Sequence, residues 1–333
     1  MSRSLRTWQN SCITRALEHF TVTPHFFCQA TPGAGKTRMA AELASRLLDQ
    51  DRIDLVLCFA PSCQVVEGFR STFSAVLGRR LDGQIGAVGA AYTYQAMEYR
   101  DEGFWQLLDD YRVLVVFDEI HHCAGHDPLL SNAWGQQILH RIQDRAAFTL
   151  ALSGTPWRSD DKAIALARYS SPEGLLICDY RYGLKDAIAD CVCRSPRIVL
   201  LDNQKVKLTE QLGADSSVKL FPSIAKLLGE SPVTYEELLR HDEVINPILD
   251  LGCSKLNELR QIKPDAAGLV VATDIEHAQQ IALALEAMGE DCRIVTNKTP
   301  DAQQVINAFR SSTCSWVIAV GMISEGTDLH RLP

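Results

Sequence analysis

The octapeptide Ala30-Thr31-Pro32-Gly33-Ala34-Gly35-Lys36-Thr37 constrains this chain more than any other stretch. It stands between an apolar run, Phe26-Phe27-Cys28, that reads as a buried strand, and an alanine-rich helical pattern from Lys36 to Leu48. Glycines in such a loop let backbone N–H groups curl around phosphate oxygens, and the helix N-terminus adds donors and a favourable dipole. Thr31, Gly33, Ala34, Gly35, Lys36, Thr37 and Arg38 are therefore the expected nucleotide-binding stretch. Lys36 is expected on the β and γ phosphates and the Thr37 hydroxyl on Mg²⁺. An incidental glycine turn before a helix is the bland alternative, and the strand–loop–helix setting weighs against it. Ala30 takes the place where a general phosphate loop has its first glycine.

Strands and helical patterns continue to alternate, which predicts an α/β fold with a parallel sheet. Leu55 to Phe59 ends at Ala60-Pro61-Ser62, Val113 to Phe117 at Asp118-Glu119, and Phe148 to Leu152 at Ser153-Gly154-Thr155-Pro156. Polar residues follow each strand's carboxyl end, so four candidate loops are expected on one rim, where open α/β sheets bind ligands. Asp118 is expected to hold Mg²⁺, and Glu119 to orient and deprotonate the attacking water. Taken alone, such a pair could simply cap the next helix. Together with the glycine loop it defines a nucleoside triphosphatase.

The pattern loosens between about Tyr180 and Ile262 and resumes at Gly268 to Thr273. A helix to Met288, a strand over Cys292 to Val295, a helix over Ala302 to Phe309 and a strand over Trp316 to Val320 come next. The expected organisation is an ATP-binding α/β domain over residues 1–180, a connector or insertion over 181–262, and a partial second domain of the same type over 263–333.

A length of 333 residues suits about two domains, and 46% hydrophobic with 22% charged residues is a soluble globular balance. No apolar run reaches the length of a membrane helix and the start lacks a signal-peptide core, so a cytoplasmic location is expected. The eleven cysteines include no Cys-x-x-Cys pair and are expected to be mostly reduced. His121-His122-Cys123 with His126 lacks the paired spacing of a zinc module. A net charge of −8 counts mildly against a nucleic-acid partner, although a motor gripping one strand needs only local basic groups.

Asp118-Glu119-Ile120-His121 resembles motif II of the DExH-type superfamily 2 helicases, and the loop from Ala30 to Thr37 resembles their motif I. Ser153-Gly154-Thr155-Pro156-Trp157-Arg158 resembles motif III of the restriction-enzyme-subunit-like (ResIII) branch. Leu5-Arg6-Thr7-Trp8-Gln9 is similar to the segment that places a glutamine against adenine. Ala60-Pro61-Ser62 looks like motif Ia, and Thr93-Tyr94-Gln95 resembles the strand-contacting segment near motif Ib. Val271-Ala272-Thr273 is similar to motif IV, and Met322 through Asp328 resembles motif V. The ordered matches run from Leu5 to Asp328.

The resemblance implies two RecA-like parallel-sheet domains in tandem, the second incomplete. Gln9 would recognise adenine, while Glu325, Gly326 and Asp328 would approach nucleotide from the second domain. Lys36, Asp118, Glu119 and His121 would carry catalysis, with His121, Ser153 and Thr155 coupling nucleotide state to strand grip. Pro61, Ser62, Thr93 and Thr273 would lie near a nucleic-acid backbone. Blander uses stay open: Gln9 as a solvated polar residue, Ser153 and Thr155 satisfying turn groups, His121 as a plain partner of a carboxylate. Trp157 could stack on a base, but packing against the sheet is the plainer expectation. The family's motif VI, a Gln-x-x-Gly-Arg-x-x-Arg helix, follows motif V and is not found before Pro333. Loss of its arginine finger lowers phosphoryl transfer about 10³- to 10⁵-fold, so weak turnover is expected of this polypeptide.

The expected activity is an ATP-dependent helicase or translocase with ATP and Mg²⁺ as cofactors. The Ser-Gly-Thr-Pro and Thr-Tyr-Gln segments lean towards DNA, with RNA left open. Two alternatives stand beside it. One is an ATP-gated nucleic-acid-binding switch with little turnover. The other is the motor subunit of a restriction or phage-defence complex, cleavage then requiring a nuclease or methyltransferase partner.

Overall fold

The computed structural model describes residues 4–125, 131–158, 160, 162–199, 206–212, 215–321, 323 and 329–332. The chain divides into two compact units, Met1–Pro196 and Arg197–Pro333. Both are built on parallel sheets, the α/β class expected of RecA-like domains in tandem.

In the first unit the strands are β1 (His25–Ala30), β2 (Leu55–Ala60), β3 (Gly89–Thr93), β4 (Val113–Asp118), β5 (Phe148–Ser153) and β6 (Tyr180–Tyr182). They form one sheet in the order β3-β2-β4-β5-β1-β6, and every neighbouring pair is parallel. All six residues of β4 are buried, as a central strand covered on both faces requires. Helix α1 (Thr7–His19) precedes the sheet, and α2 (Lys36–Asp49) and α3 (Cys63–Leu77) carry the crossovers from β1 to β2 and from β2 to β3. In α2, Met39, Ala40, Leu43, Ala44 and Leu47 recur at helical spacing, and all are fully buried. Each large side chain so buried contributes roughly 1.5–3 kcal/mol relative to an exposed one.

One face of the sheet packs on Phe69, Phe73, Leu43 and Leu47, and the other on Trp105, Tyr94, Ile138 and Ile142. Because every strand runs the same way, the carboxyl ends of β1 to β5 lie along a single rim. β6 continues the sheet beyond β1, and helix α4 (Leu184–Ala189) comes after it. Both belong to the first unit.

The second unit holds an antiparallel hairpin, β7 (Val206–Leu212) with β8 (Asp215–Phe221). Beyond it lies a parallel sheet of β9 (Gly268–Val271), β10 (Cys292–Thr296) and β11 (Trp316–Val320), with β11 central. Helix α5 (Asp242–Arg260) and helix α6 (Ile275–Ala287) contribute Ile245, Leu249, Ile281 and Leu285 to one apolar cluster with Trp316 and Ile318. Helix α7 (Ala302–Arg310) packs Ile306 and Phe309 on the opposite face, against Val295 and Val317. Arg331 is buried here and donates to the carbonyls of Asp265, Phe309 and Cys314, with its guanidinium over the Phe309 ring. No described helix is long and apolar enough to cross a membrane.

Candidate nucleotide site

The glycine loop joins β1 to α2 on the carboxyl rim of the first sheet. Gly33 and Gly35 have φ of +76° and +92°, the left-handed region that a side chain disfavours. A Cβ on Gly33 would meet no atom within 4 Å, so the loop opens outward there. Its base is braced on one side by β6, whose Tyr182 carbonyl accepts from the Thr31 N–H at 3.0 Å. The Cys193 thiol donates to the Pro32 carbonyl at 3.4 Å. Ala34 is fully buried, Thr37 partly, and Arg38 pairs with Glu42 one helical turn on.

From the other side α1 reaches in. Gln9 is 4% exposed; its amide donates to the Gly35 carbonyl at 2.9 Å, while its oxygen accepts from the Arg6 N–H at 2.8 Å. The Arg6 guanidinium donates to the Gly33 and Ala34 carbonyls. Gln9 is thus a fastener of the phosphate loop in this structure, not a solvated helix residue. Arg6 is not legible as a site residue, because nothing in Leu5-Arg6-Thr7 separates a loop-gripping arginine from a surface one.

Lys36 and Glu119 meet here. Lys36 Nζ lies 2.8 Å from Glu119 Oε1 and 3.4 Å from the Ala30 carbonyl, and both side chains are only 10% exposed. The other Glu119 oxygen accepts from the Gly154 N–H at 3.0 Å and lies 3.5 Å from His121 Nδ1. Burial, the largest single influence, pushes the Glu119 carboxyl up. The Lys36 ammonium, the Gly154 N–H and His121 together outweigh it and hold the group below its ordinary value. Asp118 ends β4 beside it, 8% exposed. Glu119 itself has φ +49°, an uncommon conformation for a residue with a Cβ.

His121 Nδ1 is 3.0 Å from Ser153 Oγ, and that hydroxyl also accepts from the Thr155 N–H at 3.2 Å. One chain of contacts therefore runs from Lys36 through Glu119 and His121 to the loop after β5. Gly154 fits only because it lacks a side chain: a Cβ there would lie 2.8 Å from Pro32 Cδ. Trp157 is 64% exposed, against the expectation of a tryptophan packed on the sheet. Its backbone N–H donates back to the Thr155 carbonyl at 2.8 Å, in the turn that follows the end of β5 at Ser153.

Other expected residues fall on the same rim or elsewhere. Pro61 and Ser62 come directly after β2, and Thr93 ends β3, with Ala60 and Thr93 paired in register. The Ser62 hydroxyl accepts from the Val65 N–H, capping α3. Thr93 is half-buried at the head of a 3-10 turn, Tyr94–Tyr99. Thr273 lies in the second unit, exposed, its hydroxyl 3.0 Å from His277 Nδ1 and 3.2 Å from Asp274. Glu325, Gly326 and Asp328 lie outside the described residues, as does His126. The His121 and His122 rings lie 4.5 Å apart, tilted by 33°.

The donor set suits a magnesium triphosphate. Hard oxygen ligands, the Thr37 hydroxyl and the Asp118 carboxylate, stand at the ends of the loop and strand that Lys36 and Glu119 join, and a buried ammonium faces an open glycine cradle. Thr37 and Asp118 would hold the cation, which would neutralise phosphate charge.

Residues 2–158 match the family described as "Type III restriction enzyme, res subunit". Uncharacterized proteins of Mycobacterium leprae and Mycobacterium tuberculosis are each 30% identical, over 99% and 98% of this chain and 56% and 55% of their own lengths. The chain thus spans about half the length of the curated relatives it matches. Among solved structures, S. cerevisiae Dbp5 bound to RNA and ADP BeF3 is similar at TM-score 0.50 and 12% identity, over 98% of this chain and 73% of that one. The Pyrococcus furiosus Hef helicase domain is similar at TM-score 0.49 and 15% identity, over 98% and 88%.

Proposed function

We propose that this chain, whose residues 2–158 match the restriction-enzyme res-subunit family, is an ATP-driven motor of the superfamily 2 helicase type acting on nucleic acid, DNA in preference to RNA. The observation that carries this reading is the buried Lys36–Glu119 pair beneath an open glycine loop. A triphosphate arriving in the cradle competes for the Lys36 ammonium. Its binding frees Glu119 to take a proton from an attacking water, and Asp118 and Thr37 would hold Mg²⁺. Release of Glu119 also disturbs the Gly154 N–H and His121 that it holds, and through Ser153 the loop carrying Thr155 and Trp157. Gln9 selects adenine in this reading. Pro61, Ser62, Thr93 and Thr273 face the nucleic-acid backbone.

The test is ATP turnover and nucleotide affinity, measured without nucleic acid and with single-stranded DNA, duplex DNA or RNA. Turnover stimulated by DNA is expected, and Lys36→Ala should abolish nucleotide binding. Full nucleotide affinity in Lys36→Ala would falsify the assignment. Nucleotide-dependent DNA affinity without turnover would replace the motor by an ATP-gated switch. The family description, a restriction-enzyme subunit, favours one further reading: that the motor serves a complex with a nuclease or methyltransferase. Co-purification of such a partner checks it.

A further inference from the structure

Tyr94 has no place in the proposed reaction, yet it joins the two halves of it. It stands between half-buried Thr93 and exposed Gln95, at the start of the 3-10 turn after β3. Its own side chain is fully buried, and its phenol donates to the Asp118 carbonyl at 2.7 Å. β3 and β4 are not neighbours, since β2 lies between them, so this bond bridges an intervening strand. The ring is held by near-parallel stacking on Trp134, at 5.6 Å and 19°.

The acceptor matters as much as the donor. The Asp118 carbonyl belongs to the peptide group that links Asp118 to Glu119. On its far side Glu119 adopts φ +49°. That conformation is one a side chain disfavours, and it persists only where surrounding contacts enforce it. Rotation of this peptide changes ψ of Asp118 and φ of Glu119 together, and where the two changes do not cancel it redirects the side chains on either side.

We propose that Tyr94 is a positioning residue that couples nucleic acid engaged at Thr93 and Gln95 to the setting of the Asp118 and Glu119 carboxylates. The proposal rests on the motor reading above. A backbone phosphate that draws Thr93 and Gln95 outward pulls the intervening Tyr94, and the phenol transmits that displacement to the Asp118–Glu119 peptide. By linkage, nucleotide bound at the carboxylates shifts nucleic-acid affinity by the same factor.

The experiment measures that factor directly. Affinity of the protein for a labelled single-stranded DNA oligonucleotide is titrated with and without saturating Mg²⁺ and a non-hydrolysable ATP analogue. A wild-type factor of about 5- to 150-fold is the range for such coupling. Tyr94→Phe keeps the ring on Trp134 and removes only the hydroxyl. It is expected to bring the factor to within twofold of one, while nucleotide affinity measured without DNA changes less than twofold. A wild-type factor that Tyr94→Phe leaves intact overturns the proposal alone. A wild-type factor of one, with no DNA-stimulated turnover, overturns the motor reading beneath it. Hydrogen exchange gives a second measurement that needs no variant. DNA binding should change protection at the amides of Glu119 and Ile120 in the unaltered protein, and unchanged protection there also overturns the proposal.

Discussion

Replacing Glu119 by glutamine should tighten nucleotide binding and stop turnover in the same molecule. Lys36 Nζ and Glu119 Oε1 are 2.8 Å apart and largely shielded from water. At an effective dielectric constant of about 20, their attraction is on the order of 6 kcal/mol, and desolvation of both charges offsets most of it. The remainder is roughly the 1.5–3 kcal/mol of a charge-assisted hydrogen bond. Glutamine keeps the shape and offers a neutral acceptor to an ammonium that is still charged, which lies at the low end of that range. A nucleotide that must take the ammonium from this partner therefore has up to about 1.4 kcal/mol less to overcome, at most a tenfold gain in affinity. Loss of the general base lowers turnover by about 10²- to 10⁴-fold. Titration with a fluorescent ATP analogue in Mg²⁺, beside a phosphate-release assay, reads both quantities. An affinity equal to or weaker than wild type would show that Lys36 is not withheld from the nucleotide by Glu119, and the competition argument would fall.

The same geometry fixes three further outcomes. Gly154→Ala drives a Cβ into Pro32 at 2.8 Å. It should lower stability by about 1–3 kcal/mol in thermal melts and weaken ATP binding, whereas unchanged melting would mean the two loops part freely. Trp157→Ala should leave the melting temperature alone, because the indole is 64% exposed. If the ring stacks on a base, the same change weakens single-stranded DNA binding by about 1–3 kcal/mol and duplex binding far less. Glu119 is held below its ordinary value of 4.5, so the stability it contributes is complete above that pH and is lost as pH falls through the lower folded value. The gap in melting temperature between wild type and Glu119→Gln should accordingly stay constant down to about pH 5 and close only in stronger acid. A gap that closes near neutrality would contradict the pairing.

Much of this site is legible in the sequence. Apolar runs such as Val113 to Phe117 mark buried parallel strands through composition alone, and the loop after each of them has to emerge on one rim. That geometry is enough to bring Lys36, Glu119 and Ser153 together from distant stretches of chain. Legibility fails where identity depends on partners. Gly89-Ala90-Ala91-Tyr92-Thr93 has few β-branched residues and does not read as a strand, yet β2 pairs with its whole length. The three-residue β6 is likewise too short to carry a periodic signal. The Ser62 hydroxyl also caps α3, a use that depends on where that helix begins. Tyr94 reaches across a strand and Arg6 reaches from the start of α1 to the glycine loop, contacts that no local pattern encodes. Trp157 reads as core by composition, yet it lies exposed in the turn that follows β5.

The brace that β6 gives the phosphate loop bears on where this unit can be cut. The family match stops at residue 158, but the Thr31 N–H is satisfied by Tyr182 and the Pro32 carbonyl by Cys193. Trimming the gene at the match would strip one edge of β1, baring backbone groups along Cys28 to Ala30. Exposed edges of that kind recruit other chains. A soluble fragment of the first unit therefore has to run past Cys193, and insolubility of anything shorter would be a property of the cut and not of the protein.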